Sequence, residues 1–239
     1  MIFEFYIFKM NTFVSTISRW AMAGIVHAKF IKEIYGWENI PKEGNFILAS
    51  NHLSHIDWWM SGYIVTPRKF TFIAQVDQYT GIKKFWRNIF YWYGGIIPIN
   101  RKSEESKKEA IETAIQMLKK GYCVVIYPEG GRAYDGIIKK FKPGVAILAL
   151  ESGRPVLPAA FHGSNQILPP HGKLKIKKAV IIAIGKPLDF TKEREQAKNL
   201  DKNSSEYYTL CDNITCQIET SIRNLLAETQ KTQNAKIKV

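Results

Sequence analysis

Short apolar segments alternate with helical ones from residue 41 onward, and this alternation restricts the fold more than any other feature of the chain. The apolar segments are rich in β-branched and aromatic side chains, which is typical of strands. The stretch 103–120 begins with Ser103 and two glutamates, repeats apolar residues every three or four positions and stops at Gly121, so it predicts a helix. Strands that alternate with helices form a mostly parallel sheet covered by helices on both faces. The predicted strands are 45–50, 70–75, 96–99, 122–127, 155–161 and 179–184.

The length of 239 residues suits one α/β domain with a small appendage. We expect amphipathic helices over residues 1–34, an α/β body over residues 35–190 and a helical extension over residues 191–239. The extension is polar except for apolar residues at helical spacing, which predicts an amphipathic helix docked on the body. Those residues are Leu210, Ile214, Ile218, Ile222 and Leu225.

The N-terminal segment is rich in aromatic residues, but charges interrupt it too often for a spanning helix, which needs about 20 predominantly apolar residues. It also lacks the positively charged stretch that precedes the apolar part of a secretory signal peptide. Apolar residues recur at helical spacing at Phe13, Ile17, Trp20 and Gly24, with Lys and Arg among the aromatic residues. This pattern favours a helix that lies in the plane of a membrane surface. The alternative is a helix packed on the protein's own core.

The chain carries a net charge of +13 and has an isoelectric point near 9.5. Its lysines and arginines are spread along the sequence, and such a field favours an anionic partner, either nucleic acid or an acidic membrane surface. Cys123, Cys211 and Cys216 have neither a disulfide framework nor the spacing of metal ligands. We therefore expect a reducing, cytosolic environment.

The run from Asn51 to Asp57 follows the first predicted strand and contains the best candidate for a catalytic base. On a regular helix, five residues would place the side chains of His52 and Asp57 about 140° apart, so they meet only if the chain turns from strand to helix between them. Once they meet, Asp57 holds one ring nitrogen of His52 and leaves the other free to accept a proton.

Three further polar clusters lie after predicted strands or before a predicted helix. In open α/β sheets, ligands bind beyond the carboxyl ends of the strands, so we expect these clusters to converge on His52. Two arginines, with glycines that let the backbone come close, suit a phosphate or a phosphate monoester. The candidate residues are Arg101, Glu129, Gly130, Arg132 and Lys142.

Together, in this order and spacing, the clusters resemble the lysophosphatidic acid acyltransferase (1-acyl-sn-glycerol-3-phosphate O-acyltransferase) family. His52 and Asp57 match its His-x4-Asp motif, and residues 127–132 are similar to its Phe-Pro-Glu-Gly-Thr-Arg motif. Residues 95–101 and 156–158 are similar to its second and last motifs, and residues 141–144 to the segment that follows the third. The resemblance covers roughly residues 35–190 and implies the mixed sheet of the glycerol-3-phosphate acyltransferase fold.

The resemblance implies transfer of a fatty acyl group, carried by coenzyme A or acyl carrier protein, to the sn-2 hydroxyl of lysophosphatidic acid. His52, oriented by Asp57, would deprotonate the hydroxyl. The glycerol phosphate head would be bound by Arg101, Glu129, Gly130 and Arg132, with Lys142 as a helper. No metal or cofactor is implied, because a thiolate is a good leaving group. The enzyme would work as a peripheral or monotopic protein on the cytoplasmic face of an anionic membrane, with no nucleic-acid partner.

Tyr127 replaces the Phe of the family pattern, which is a mild departure. Two others are larger, since Gly131 replaces a Thr or Ser and Asn100 stands where Asp is common. They leave open a different acceptor, such as a lyso-ornithine lipid or a lysophospholipid. A metal hydrolase built on His52, His55 and Asp57 lacks a second ligand cluster, and a Ser54 nucleophile lacks a Gly-x-Ser-x-Gly turn. A nucleic-acid-binding module would explain the charge, but no recognition motif accompanies it.

Overall fold

A computed structural model describes residues 12–75, 95–133, 136–169 and 172–237. Residues 1–11 and 238–239, which belong to the expected N-terminal and C-terminal segments, lie outside it. Seven strands in the described part form one sheet. They are β1 (Ile31–Tyr35), β2 (Ile47–Ser50), β3 (Phe70–Gln75), β4 (Ile96–Ile99), β5 (Cys123–Ile126), β6 (Val156–His162) and β7 (Val180–Ile184).

Helices connect most of these strands, and the helix predicted over residues 103–120 is present. The Ser103 side chain caps it by accepting a hydrogen bond from the Ser106 amide at 3.2 Å, and Glu104 and Glu105 in the first turn complement the helix dipole. The helices are α1 (Thr12–Lys29), α2 (Asp57–Val65), α3 (Glu104–Lys119), α4 (Gly144–Ser152), α5 (Ser164–Ile167), α6 (Thr191–Ala197) and α7 (Ser205–Ile237).

The strand order is β1-β7-β6-β2-β5-β3-β4, and every neighbouring pair is parallel except β6 with β7. The prediction of a mostly parallel, mixed sheet flanked by helices is therefore confirmed. Strands β2 to β6 finish at the end of the sheet where β1 and β7 begin. We call it the His52 end, because His52 follows β2 there.

The sequence did not predict β1, which lies inside the segment expected to be helical up to residue 34. Lys32 and Glu33 interrupt its apolar pattern, and such a pattern is tolerated because β1 is an edge strand, which among the described strands pairs with β7 alone. The sheet thus begins at Ile31, and α1 is the helical part of the expected N-terminal segment that the structure describes.

Each face of the sheet has its own hydrophobic core. One core packs α3, α4 and α7 against the strands, and the other packs α1 and α2. The predicted amphipathic C-terminal helix is confirmed as α7. Its Ile214, Ile218 and Ile222 are fully buried, whereas Leu210 and Leu225 lie at the margin of that contact.

No helix in residues 12–75, 95–133, 136–169 or 172–237 combines the length and the apolarity that crossing a membrane requires.

Candidate active site

The polar clusters predicted from sequence follow β2, β4 and β5, so they lie at the His52 end. The pairing register of the strands sets how far along the sheet each cluster lies, because Ala49 of β2 pairs with Ile126 of β5, and Ser50 pairs with Ala159 of β6. The buried Asn51 side chain then ties the end of β2 to β6 through two bonds with the Phe161 backbone, at 2.9 and 2.7 Å. This bond pair holds the residue before His52 in place.

His52 and Asp57 meet as the sequence predicted. Nδ1 of His52 lies 2.9 Å from Oδ2 of Asp57, which is fully buried, while the imidazole remains partly exposed. The chain turns between them, and Asp57 is the first residue of α2. A carboxylate bonded to Nδ1 selects the tautomer with its proton on Nδ1, so Nε2 carries the lone pair that accepts a proton.

Asp57 is itself fixed by backbone donors. Its Oδ2 accepts hydrogen bonds from the amides of Leu53 and Ser54, both at 2.7 Å. Oδ1 is buried and has no hydrogen-bond partner among the described residues. Three donors on one oxygen leave the carboxylate a single orientation, and this orientation is imposed on the imidazole.

The His52 ring also stacks on Tyr127, with ring centroids 4.1 Å apart and planes 13° apart. The hydroxyl of Tyr127 is hydrogen-bonded to Oγ of Ser61 at 2.9 Å. Burial, and then the charge of Asp57, raise the pKa of Tyr127 well above its usual range, so the phenol stays neutral. The sequence did not identify Tyr127 as a support for His52. The two residues follow different strands, and no sequence pattern marks stacking between residues that are far apart in the chain.

Glu129 links two loops through hydrogen bonds from their backbone amides. Its buried carboxylate accepts from the backbone amide of His52 at 2.7 Å through Oε1 and from that of Lys139 at 2.9 Å through Oε2. Burial raises the pKa of Glu129, whereas the two N–H donors oppose that rise. The carboxylate predicted to bind substrate therefore joins the His52 loop to the loop at Lys139.

Two cationic side chains flank the glycine turn that follows Glu129. Gly130 has φ of 67°, and a Cβ there would lie 2.9 Å from Cε of Lys142. A Cβ on Gly131 would meet Nη1 of Arg101 at an ordinary 3.7 Å. Glycine is therefore required at 130, whereas a Cβ would have room at 131. Arg101 and Lys142 together form a positively charged cluster beside the His52 end.

Arg132, the remaining candidate, is half-buried directly after this turn, and its backbone oxygen accepts from Nζ of Lys139 at 2.9 Å. The structure thus places all seven candidate residues at the His52 end.

A groove of about 820 Å³ leads away from this cluster along α3 and α4. Tyr127, Gly130, Arg101 and Lys142 line it beside the site. Its floor consists of apolar side chains from strands and helices, namely Ile73, Ile99, Ile111, Ile126 and Ile147. At its far part, Glu151 accepts from Tyr207 at 3.2 Å and pairs with Lys202 at 2.7 Å.

Comparison with known proteins identifies the family. A model of the family described as "Acyltransferase" matches residues 32–162, which is more than half of the chain and includes β2, β4, β5 and their following loops. The chain belongs to the acyltransferase family.

Curated relatives carry a more specific name. This chain is 28% identical over 173 residues to 1-acyl-sn-glycerol-3-phosphate acyltransferase BAT2, chloroplastic, of Brassica napus, and the match covers 71% of this chain and 47% of that protein. It is 33% identical over 149 residues to the 1-acyl-sn-glycerol-3-phosphate acyltransferase of Borreliella burgdorferi, which covers 62% of this chain and 56% of that protein. The match thus spans about half the length of these relatives.

The fold is shared with a solved structure. The crystal structure of the 1-acyl-sn-glycerophosphate acyltransferase PlsC from Thermotoga maritima superposes on this chain with a TM-score of 0.64 at 23% identity. The superposition covers 95% of this chain and 87% of the other.

The position of Glu129 leads to a prediction for this protein. Glu129→Gln replaces one acceptor oxygen with an amide donor that faces a backbone N–H, which should lower the free energy of unfolding by about 1–3 kcal/mol. Since one of those N–H groups belongs to His52, we expect kcat to fall roughly tenfold to a hundredfold, with little change in KM. Steady-state kinetics and urea unfolding test this.

Glu219→Gln is the matched control, because Glu219 also accepts from a backbone amide, that of Phe141 at 2.9 Å, and this partner is not a residue of the His52 loop. It should cost stability while leaving kcat near the wild-type value. A normal kcat with a strongly raised KM in Glu129→Gln would instead support direct contact of Glu129 with the substrate.

Proposed function

We propose that this protein transfers a fatty acyl group from an acyl thioester to the sn-2 hydroxyl of lysophosphatidic acid and so produces phosphatidic acid. The observation that carries the proposal is the oriented His52–Asp57 pair beside the cationic side chains of Arg101 and Lys142. The names of the relatives support the same reaction.

In the proposed reaction, Nε2 of His52 removes the proton from the acceptor hydroxyl as its oxygen attacks the thioester carbonyl carbon. Asp57 stabilises the imidazolium that forms. The tetrahedral intermediate collapses by breaking the C–S bond, and the imidazolium proton passes to the departing thiolate. The products are an ester and a free thiol, so the reaction needs neither a metal, nor a cofactor, nor a covalent enzyme intermediate.

We assign the acyl chain to the groove, because its floor consists of apolar isoleucine side chains. A long hydrocarbon chain gains from leaving water for such a floor, at about 0.8 kcal/mol per buried CH₂. The thioester then lies where the groove reaches Tyr127 and Gly130, next to His52. The thioester is carried by coenzyme A or by acyl carrier protein.

Arg101, Arg132 and Lys142 are assigned to the acceptor phosphate. Arg101→Ala should raise KM for lysophosphatidic acid roughly tenfold to a hundredfold, because a hydrogen bond to a charged group contributes about 1.5–3 kcal/mol. The KM for the acyl thioester should change little. Lys140→Ala is the matched control, since this exposed lysine is not among the residues that line the groove. An unchanged acceptor KM in Arg101→Ala contradicts the assignment.

We further propose that α1 holds the protein on an anionic membrane at the cytoplasmic face. Val26 and Phe30 pack it onto the body, and the Arg19 guanidinium lies 4.2 Å above the Phe70 ring. The opposite side, which we call the outward face of α1, is exposed and carries no charge. This face consists of Ile17, Trp20, Ala21, Gly24, Ile25 and Ala28. An apolar face of this kind suits the boundary between headgroups and acyl chains.

Trp20 and Ile25 are 56% and 53% exposed. The double variant Trp20→Ser/Ile25→Ser should bind phospholipid vesicles at least tenfold more weakly than the wild type. Neither side chain packs in the buried core, so the melting temperature should stay near that of the wild type. Met22→Ser, on the flank of the helix, is the matched control. Wild-type vesicle binding by the double variant would disprove the role of α1.

A further inference from the structure

A second exposed surface, separate from α1, lies in the extended stretch between α5 and β7. This basic segment, residues 172–178, alternates lysines with apolar residues, and all of its side chains are exposed. Leu174 is 44% exposed and Ile176 is 71% exposed. The sequence from residue 152 to residue 188 contains no Asp or Glu, so nearby residues in the chain do not neutralise the lysines. They are Lys173, Lys175, Lys177 and Lys178.

Sheet topology places the basic segment at the His52 end. Strand β7 is antiparallel to β6, so the start of β7 lies beside the end of β6, as the pairing of Ile181 with His162 shows. Strand β6 is parallel to β2, which leads into His52. The residues that precede β7 therefore emerge on the same side of the molecule as the active site.

Hydrogen bonds connect the basic segment to the catalytic loop. The amide of Lys175 donates to the carbonyl of Ile167 at 2.8 Å, and the next carbonyl, that of Leu168, accepts from Oγ of Ser54 at 2.7 Å. At its other end, the amides of Ala179 and Val180 both donate to the carbonyl of Phe30 at 3.0 Å, directly after α1. The basic segment therefore bridges the loop of His52 and the end of α1.

We propose that the basic segment is a second membrane-binding element, which contacts anionic phospholipid headgroups and orients the active site toward the bilayer. This inference rests on the proposed function, because a lipid acceptor must pass from the bilayer to His52. Lysine side chains are long enough to reach headgroup phosphates from either side of an extended chain. Leu174 and Ile176 enter the boundary between headgroups and acyl chains.

The exposed apolar residues favour a bilayer over an acidic protein as the partner. A purely electrostatic docking site for an acidic carrier protein would gain little from Leu174 and Ile176 in water. In a membrane surface, the two kinds of side chain act together, since lysines bind the anionic headgroups and apolar side chains leave water.

Vesicle binding of the full-length protein tests the proposal. Lys173, Lys175 and Lys178 are changed together to Gln, and binding is measured to phosphatidylcholine vesicles with and without phosphatidylglycerol. At about fivefold per lysine, we expect roughly a hundredfold weaker binding to the anionic vesicles and little change on neutral ones. Added salt should erase most of the difference between wild type and variant. The double variant Leu174→Ser/Ile176→Ser should bind both kinds of vesicle more weakly.

The charge-matched control changes Lys42, Lys186 and Lys192 to Gln. Lys42 precedes β2 and Lys186 follows β7, so both lie at the opposite end of the sheet, and Lys192 is an exposed residue of α6. This control should bind vesicles within about threefold of the wild type, because its lysines face away from the membrane. Equal losses in both triple variants would mean that only net charge matters, which overturns the proposal.

Two other outcomes are also decisive. Wild-type vesicle binding by both basic-segment variants overturns the proposal. The proposal is also overturned if these variants bind vesicles normally and lose activity only when acyl carrier protein is the donor. The segment would then bind that acidic protein. Binding is measured without substrate, so absence of acyl transfer by the wild type would refute the proposed function alone.

Discussion

Replacement of His52 by alanine is expected to lower kcat for acyl transfer by about a thousandfold or more, because a positioned general base contributes roughly 10²–10⁴. Substrate binding should be nearly unchanged, since the phosphate and the acyl chain are assigned to Arg101 and the groove. The imidazole is at the surface end of the site, so the fold should survive its removal. Initial rates at saturating substrate, together with circular dichroism and a thermal melt, measure these effects.

His55→Ala is the matched control, because His55 lies in the same loop but is exposed. Its kcat should stay close to the wild-type value. Turnover by His52→Ala within tenfold of the wild type would contradict a general-base role for His52, whatever the effect of the control.

Asp57→Asn is expected to lower kcat by about a hundredfold to a thousandfold while largely preserving the structure. The amide oxygen can still accept from Leu53 and Ser54, which donate to Oδ2 at 2.7 Å. The amide is neutral, however, so the imidazolium that forms on His52 loses its stabilising charge. Steady-state kinetics and urea unfolding separate the two effects.

Asp57→Ala provides the contrast. It leaves the two backbone donors and Nδ1 of His52 without their acceptor in a buried site, at about 1–3 kcal/mol for each group. We therefore expect a clear loss of stability in the alanine variant and a small one in the asparagine variant. Near wild-type kcat in Asp57→Asn would show that the carboxylate charge is not needed for turnover.

Much of the fold could be predicted because the core strands are short apolar runs bounded by turns. Strands 70–75 and 96–99 were predicted with the bounds that β3 and β4 have in the structure. Strand β1 was missed because it lies at the edge of the sheet, where the exposed Lys32 and the half-buried Glu33 interrupt its apolar pattern. Its place depends on pairing with β7, which is distant in the chain.

The part of the candidate site that is formed by residues close together in the sequence could be predicted. His52 and Asp57 are five residues apart, and a strand-to-helix turn brings them to 2.9 Å. The contact of Glu129 with the His52 amide was not predictable, because every residue except proline has such an amide and sequence does not mark the one that is used. The groove likewise depends on how α3 and α4 pack side by side.

The central claim is acyl transfer to lysophosphatidic acid, and an acceptor panel tests it most directly. Purified protein on anionic vesicles is supplied with acyl-CoA or acyl carrier protein thioesters and with lysophosphatidic acid, lysophosphatidylcholine or a lyso-ornithine lipid. Mass spectrometry follows the acylated lipid, and a thiol reagent follows the leaving group. We predict phosphatidic acid and thiol in equal amounts from lysophosphatidic acid, and much less product from the other acceptors. Acylation of another lysolipid without phosphatidic acid, or thiol release without acylated lipid, would contradict the claim.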